Sequence, residues 1–222
     1  MQLEDYLRRD DRIVLPIGST EQHAYLSLGT DCILAERVCL EAAEPLGVPV
    51  LPVLPYGLTP RFVSYPGTVT LRIESLLGVV TDVLESVSAQ GFRRVLIVNG
   101  HGGNTGPLQG LATWGARHPE VRFRHHDWWD SPRVMEVVRS IDPEGTHASW
   151  MENFPWTRLS GVDVPGEPKQ LKSTFTLDPA EFREIMGDGS FGGAYQHSDK
   201  DMLRIWKAGM EEVRELLESG WG

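Results

Sequence analysis

What this 222-residue chain has little of sets the first limits. It has two cysteines, Cys32 and Cys39, seven positions apart in a helical pattern, about two turns along one face. That separation is too long for a disulfide and fits two small core residues in a reducing cytoplasm. Basic residues are scarce: 21 Lys and Arg against 31 Asp and Glu give a formal charge of −10. A nucleic-acid footprint needs clustered cations to replace counterions on phosphates, so nucleic acid is set aside as a partner. No apolar run approaches membrane-spanning length, and the first residues, MQLEDYLRRDDR, lack the apolar centre of a signal peptide. A cytoplasmic location without a membrane partner is expected. No proline-rich, glycine-rich or single-sign charged stretch divides the chain, so residues 1–222 are read as a single domain with one core.

What is present is an alternation of strand-type and helix-type patterns. Ile13, Val14, Leu15 and Ile17 form an apolar run that closes at Gly18. A helix is predicted over 31–44, stopped by Pro45 and Gly47. The apolar stretch VPVLPVLPYG (48–57), punctuated by Pro49, Pro52 and Pro55, fits a strand running out into a loop. A second helix is predicted over 73–90, with Leu76, Leu77, Val80, Val83, Leu84 and Val87 on one face and Gly91 as its stop. Then follow a buried-type strand over 94–98, a helix over 104–117, a strand over 121–129, a broken helical pattern over 131–160 and a closing amphipathic helix over 198–219. This order predicts an α/β fold, a three-layer α/β/α sandwich around a mostly parallel sheet. Ligands in such sheets gather at the carboxyl ends of the strands, where the stretches 18–23 and 99–104 sit.

Those two stretches carry the chemistry. Glu21 and His23 are two residues apart, so on an extended chain both side chains point to one side, and Asp31 follows after a loop. Two carboxylates and an imidazole suit a divalent ion such as zinc or manganese, with one carboxylate able to bridge two ions. A surface pair and a helix cap would use the same residues. In NGHGGN, Gly100, Gly102 and Gly103 let the backbone approach a bound ion or substrate, which makes His101 a natural fourth ligand and puts Gly102 beside a substrate. A glycine-rich loop after a strand also cradles phosphate, but the GxGxxG spacing and the GK[ST] ending are absent. In GTHASWMENFPW, His147 and Glu152 are five apart and fit a loop leading into a helix. His147 suits a proton shuttle, because imidazole titrates near neutral pH, and Glu152 suits the shell of a second ion. A helix-start residue and a solvated helix face are the ordinary alternatives. Of the aromatic residues Trp128, Trp129, Trp150, Phe154 and Trp156, Trp150 is the best placed to wall a flat substrate, and the loop LTPRFVSYPGTVTL, with Tyr65, would form the rim. Plain core or interface packing would equally use them.

Taken together, GSTEQH, then GTD, PGT at 66–68, NGHGGN at 99–104 and a His-led segment with Glu five residues on resemble the creatininase, or creatinine amidohydrolase, family. The tail GDGSFGGAYQHSDKDMLRIWKAG is similar to the family's closing glycine-rich loop and helix. The resemblance implies a binuclear metal hydrolase on an α/β/α sandwich, a homo-oligomer and often a hexamer, holding two divalent ions: zinc, manganese or both, or Fe2+. It also implies one ion on Glu21, Asp31 and His101, the other on His23 and a bridging Asp31, and His147 as the catalytic acid/base. Three stretches depart from the family pattern. AYLSLGT, between the paired ligands and Asp31, is one residue shorter than usual and lacks a second His. Gly103 stands where creatininases proper carry a metal-binding Glu, which leaves Glu152 as the candidate for that ligand. HASWMENF replaces HAGEWETS, with Trp150 where a Glu is common and Asn153 where a Thr is common.

The expected function is metal-dependent hydrolysis of a carbon–nitrogen bond in a small, non-peptide, cyclic or related amide. A keto-inositol opened by carbon–carbon hydrolysis at the same site is the close alternative. A non-catalytic binding module is a second alternative, opposed by the cost of burying five polar groups that it would not need.

Overall fold

The apolar runs do form strands, and their register explains both faces of the sheet. The computed structural model describes residues 2–221. In chain order these form α1 (Gln2–Leu7), β1 (Arg12–Ile17), α2 (Thr30–Ala43), α3 (Ile73–Ala89), β2 (Arg94–Asn99), α4 (Gly102–Gln109), α5 (Ala112–Arg117), β3 (Arg122–Asp127), α6 (Pro132–Ile141), α7 (Pro179–Met186) and α8 (Asp199–Ser219). The strands are parallel in the order β1-β2-β3, with Arg12 opposite Arg94 and Arg94 opposite Arg122. Side chains alternate across a strand, so β1 and β2 each serve two cores. Val14, Leu96 and Val98 face α2, α6 and α8, while Ile13, Leu15, Ile17, Val95 and Ile97 face α3, α4 and α5. Helices therefore cover both faces, and the fold is the expected α/β sandwich.

The segment 48–57 differs from the expected strand. It lies along β1 in parallel fashion, with Leu51 N and Leu54 N donating to Val14 O and Pro16 O, and Val14 N and Gly18 N donating to Pro49 O and Leu54 O. Only isolated bridges at Val50 and Leu54 result, because Pro49, Pro52 and Pro55 bring no N–H to the ladder and confine the segment to the sheet edge. The helix predicted over 104–117 is two helices, α4 and α5, separated at Gly110 and Leu111. Two short helices went unanticipated. The six residues of α1 give too little periodicity to read, whereas α7 has a legible start in Asp178, which accepts from Ala180 N and Glu181 N, and Pro179 at its first position.

Long connections close the site end of the sheet. Between α6 and α8 the chain runs through a 3-10 turn at Trp150–Glu152, an extended stretch and α7 into the glycine-rich loop. That loop zips onto the His147 segment, since Phe191 N donates to His147 O at 3.2 Å and Trp150 N donates to Ala194 O at 2.8 Å. Lys169 holds it from behind, donating to Met186 O, Ser190 O and Asp188. Among the described residues no helix is long and apolar enough to cross a membrane.

Candidate metal centre

Every polar side chain of the site is delivered by the carboxyl end of the sheet or a loop packed on it. The turn after β1 carries Glu21 and His23, the first turn of α2 carries Asp31, the turn after β2 carries His101, and the loop after α6 carries His147 and Glu152. The chain comes so close there that a side-chain carbon at Gly100 would lie 2.4 Å from Asp31 O. Glu21, His23, Asp31 and His101 are buried, and His147 and Glu152 open partly to a cavity of about 470 Å³.

The ligand-type atoms fall into groups that share members. Asp31 Oδ2 and Glu21 Oε1 lie 3.0 Å and 3.2 Å from His101 Nδ1. On the other side, Asp31 Oδ1 and Glu152 Oε2 lie 3.0 Å and 3.8 Å from His23 Nε2. Glu21, Asp31 and His101 thus form one candidate ligand set and His23, Asp31 and Glu152 another, with Asp31 presenting one oxygen to each; a third grouping joins Glu21, His23 and His147.

Hydrogen bonds set the histidine tautomers. A backbone carbonyl can only accept, and each ring has one nitrogen against such an oxygen: His23 Nδ1 on Glu21 O at 3.0 Å, His101 Nε2 on Leu58 O at 3.0 Å and His147 Nε2 on Gln22 O at 3.1 Å. The protons those bonds require sit on one nitrogen of each ring and leave the opposite nitrogens, His23 Nε2, His101 Nδ1 and His147 Nδ1, facing carboxylates, where each can take a second proton or a cation. His23 Nε2 is buried, and the groups it faces are the Asp31 and Glu152 carboxylates. Lone pairs facing carboxylates repel unless a positive charge stands between them, and metal-ligating histidines are held by their other nitrogen in this way. The donor chemistry therefore fits divalent ions.

Electrostatics give the same reading. Burial would push His23 down, yet Asp31, Glu152 and Glu21 together push it up to about 10, and Glu21 and Asp31 likewise push His101 well up against its burial. Burial would raise Asp31 and Glu21, but the imidazoles hold both below the usual carboxylate range, His23 and His101 acting on Asp31 and His101 with His147 on Glu21. Burial drives Glu152 up to about 7, only partly opposed by His23. His147 goes the other way, because burial and the neighbouring His23 push it down to about 4, which leaves it neutral at pH 7 and able to accept a proton. Carboxylates that draw protons onto His23 and His101 would draw a cation in the same way.

Further residues hold this set in place. Ser19 Oγ donates to Asp31 Oδ2 at 2.8 Å, Thr59 Oγ1 donates to Glu21, and Ala148 N donates to Glu152 Oε2 at 2.5 Å. Asn99 Nδ2 donates to His101 O and to Asp127 Oδ1, both at 2.7 Å, and Asn99 Oδ1 accepts from His101 N. Ala24 and Ala148, which directly follow His23 and His147, sit at φ of +48° and +54°, a left-handed conformation costing roughly 1–2 kcal/mol for a residue with a side chain.

The position of Gly103 bears on the missing carboxylate. A side-chain carbon there would lie 2.0 Å from Leu58 O and 2.5 Å from His101 Nε2, so the loop that holds His101 excludes any side chain at 103. Glu152 brings a carboxylate to His23 and Asp31 from another loop.

The expected substrate contacts need correction. Gly102 lines the cavity, but Trp150 and Tyr65 do not. Trp150 is fully buried in the α2/α6/α8 core with its ring edge-on to His197, because the chain reverses at Ala148 and turns the indole inward. Tyr65 is buried against Phe62 beside Phe182 and Met186. Trp128 and Phe154 are core residues as well. Trp129 does line the cavity, together with Phe62, Phe191, Met135, Met151 and Arg61. Neither His125 nor His126 faces it; His125 Nε2 lies 2.9 Å from Asp127.

Fold and site together define an α/β domain with clustered carboxylate and imidazole ligands at the carboxyl end of a parallel sheet. The family model described as creatinine amidohydrolase matches residues 1–217, and the chain belongs to this creatininase family. It is 30% identical over 147 residues to creatinine amidohydrolase of Pseudomonas putida, an alignment spanning 60% of this chain and 56% of that protein. It is 35% identical to the mycofactocin precursor peptide peptidase of Mycolicibacterium smegmatis over 88% of this chain and 85% of that one. A solved manganese creatininase superposes with a TM-score of 0.81 at 23% identity, covering 100% of this chain and 96% of the other.

Proposed function

We propose that the chain is a metal-dependent hydrolase that cleaves the carbon–nitrogen bond of a small amide, the end of a short peptide included. Family membership supports hydrolysis, and the relative of Mycolicibacterium smegmatis, named for a peptide, argues against confining the substrate to cyclic or non-peptide amides. One observation carries the reading: three imidazoles, each clamped by a backbone carbonyl, turn their free nitrogens onto carboxylates at the wall of one cavity. Glu21, Asp31 and His101 would hold one divalent ion and His23, Asp31 and Glu152 a second, zinc and manganese being suited to such mixed nitrogen and oxygen donors. When bound, such ions polarise a carbonyl and lower the pKa of water.

The chain's own residues do the rest. In hydrolysis the oxygen of water bonds to the amide carbon, the carbon–nitrogen bond breaks, and a proton from that water ends on the leaving nitrogen. Neutral His147, fixed by Gln22 O, takes this proton at Nδ1 and delivers it. Phe62 and Phe191, whose rings lie 4.8 Å and 5.0 Å from the imidazole, keep that side dry and hold the ring still. The test is metal content by elemental analysis on wild type and Asp31→Ala, followed by amine release from a panel of small cyclic amides, formamides and dipeptides. Two ions per chain, lost in the variant, with release of amine from any member, is the expected result; a chain purified without chelator that holds no metal and releases no amine overturns it.

A further inference from the structure

The five residues 58–62 touch the site almost one after another. Leu58 O fixes His101, Thr59 Oγ1 donates to Glu21, and the Phe62 ring packs on His147. Arg61 lies between them on the 3-10 turn Pro60–Phe62, and its charged side chain is bound to none of the site's polar groups. Its guanidinium rests over the Phe182 ring at 5.4 Å from the centroid, the residue is exposed, and among the described residues it has neither a carboxylate within ion-pair distance nor a hydrogen-bond acceptor. It is also the only Lys or Arg among the residues lining a cavity that otherwise presents Glu21, Asp31, Glu152 and Asp130.

We propose that Arg61 is the anchor for a carboxylate carried by the substrate. A guanidinium resting over an aromatic ring keeps its planar fork of donors free, which matches the two coplanar oxygens of a carboxylate. A phosphate is the poorer fit, since a dianion calls for more cations and no other Lys or Arg lines the cavity. Arg61 shares one cavity wall with Glu21, Asp31, His101 and Glu152, and Thr59 and Phe62 on either side of the Pro60–Arg61 pair reach Glu21 and His147, so a carboxylate held at Arg61 leaves an amide of the same small molecule to reach the ligand groups. The substrate class is thus a small amide that carries a free carboxylate, an N-acyl amino acid being the simplest. This deepens the hydrolase reading and rests on it for the position of the bond that breaks.

The experiment compares N-acetylglycine with N-acetylglycinamide, which differ only in the carboxylate, binding to the metal-loaded protein by calorimetry. Wild type is expected to prefer the acid roughly tenfold or more, as one charge-assisted pair implies. In R61A, with wild-type metal content confirming an intact fold, the ratio collapses towards one, and R61K keeps part of it. A wild type that does not discriminate, or an acid preference that survives R61A because the metal floor creates it, overturns the proposal. The two readings fail separately. Acid preference dependent on Arg61 without hydrolysis of any amide removes the hydrolase, whereas equal hydrolysis of acids and neutral amides removes the anchor.

Discussion

The two ends of the sheet both gather charge, and they balance it differently. At the amino end, Asp10 and Asp11 meet Arg12 and Arg94: Arg12 pairs with Asp10 at 2.5 Å, Arg94 with Asp10 at 3.1 Å and with Asp11, and Arg12 reaches on to Leu217 O at the end of α8. Two carboxylates face two guanidiniums, and the cluster is complete within the chain. At the carboxyl end Glu21, Asp31 and Glu152 are set among imidazoles, and among the described residues no Lys or Arg pairs with them. Buried charge is costly unless paired. The amino end fastens the sheet to the last helix, while the carboxyl end matches its carboxylates only with imidazoles, which can give up a proton in exchange for a metal cation.

The largest effect comes from removing the carboxylate common to both ligand groups. Asp31→Asn should strip both ions, since one oxygen serves each group, and abolish hydrolysis by well over the roughly 10–100-fold that loss of an outer partner costs. Glu152→Gln should lose one ion only. Elemental analysis of the two variants decides the matter, and an Asp31→Asn protein with full metal content would end the idea of a shared ligand. Next comes His147→Ala, expected to slow hydrolysis by about 10²–10⁴-fold with the metal retained, as for loss of a general acid–base group. A variant that turns over at the wild-type rate would assign proton transfer elsewhere. A smaller effect belongs to Asn99→Ala, which frees the His101 backbone from Asp127 and should weaken metal binding by about 10–100-fold in a chelator competition.

The same contrast explains what was legible in the sequence. Glu21, His23, Asp31 and His101 could be read because each lies just after a strand or at the first turn of a helix, where local geometry alone fixes which way a side chain points. The helices 30–43, 73–89 and 199–219 were legible for a related reason, since a long apolar stripe states its own period. Trp150 was not. Its placement depends on the reversal at Ala148, a left-handed alanine that no propensity would suggest, so the indole went to the core while His147 and Glu152 turned to the cavity. Phe62, Phe191 and Arg61 come from loops brought over the sheet by tertiary packing, and no spacing announces their meeting. The edge segment 48–57 carried its signal in full view, three prolines at every third residue, and the weak ladder is their direct consequence.

The smallest expected effect tests the self-sufficient end. Burial would raise the Asp10 carboxyl, but the hydrogen bonds and charge of Arg12, helped by Arg94, hold it below the usual carboxylate range. A folded-state pKa below the unfolded one means that the contribution to stability is fully present above the ordinary carboxylate range and is lost as pH falls on through the lower folded-state value. Asp10→Asn should therefore cost about 1–2 kcal/mol in urea unfolding at pH 7, the worth of a partly buried charge-assisted pair, and progressively less as pH is taken below the ordinary carboxylate range. Its metal content should equal that of wild type, because nothing at the amino end reaches the ligand groups. A loss of metal in this variant would show the two ends to be coupled through β1, and the division between a fastening end and a cation-seeking end would have to be abandoned.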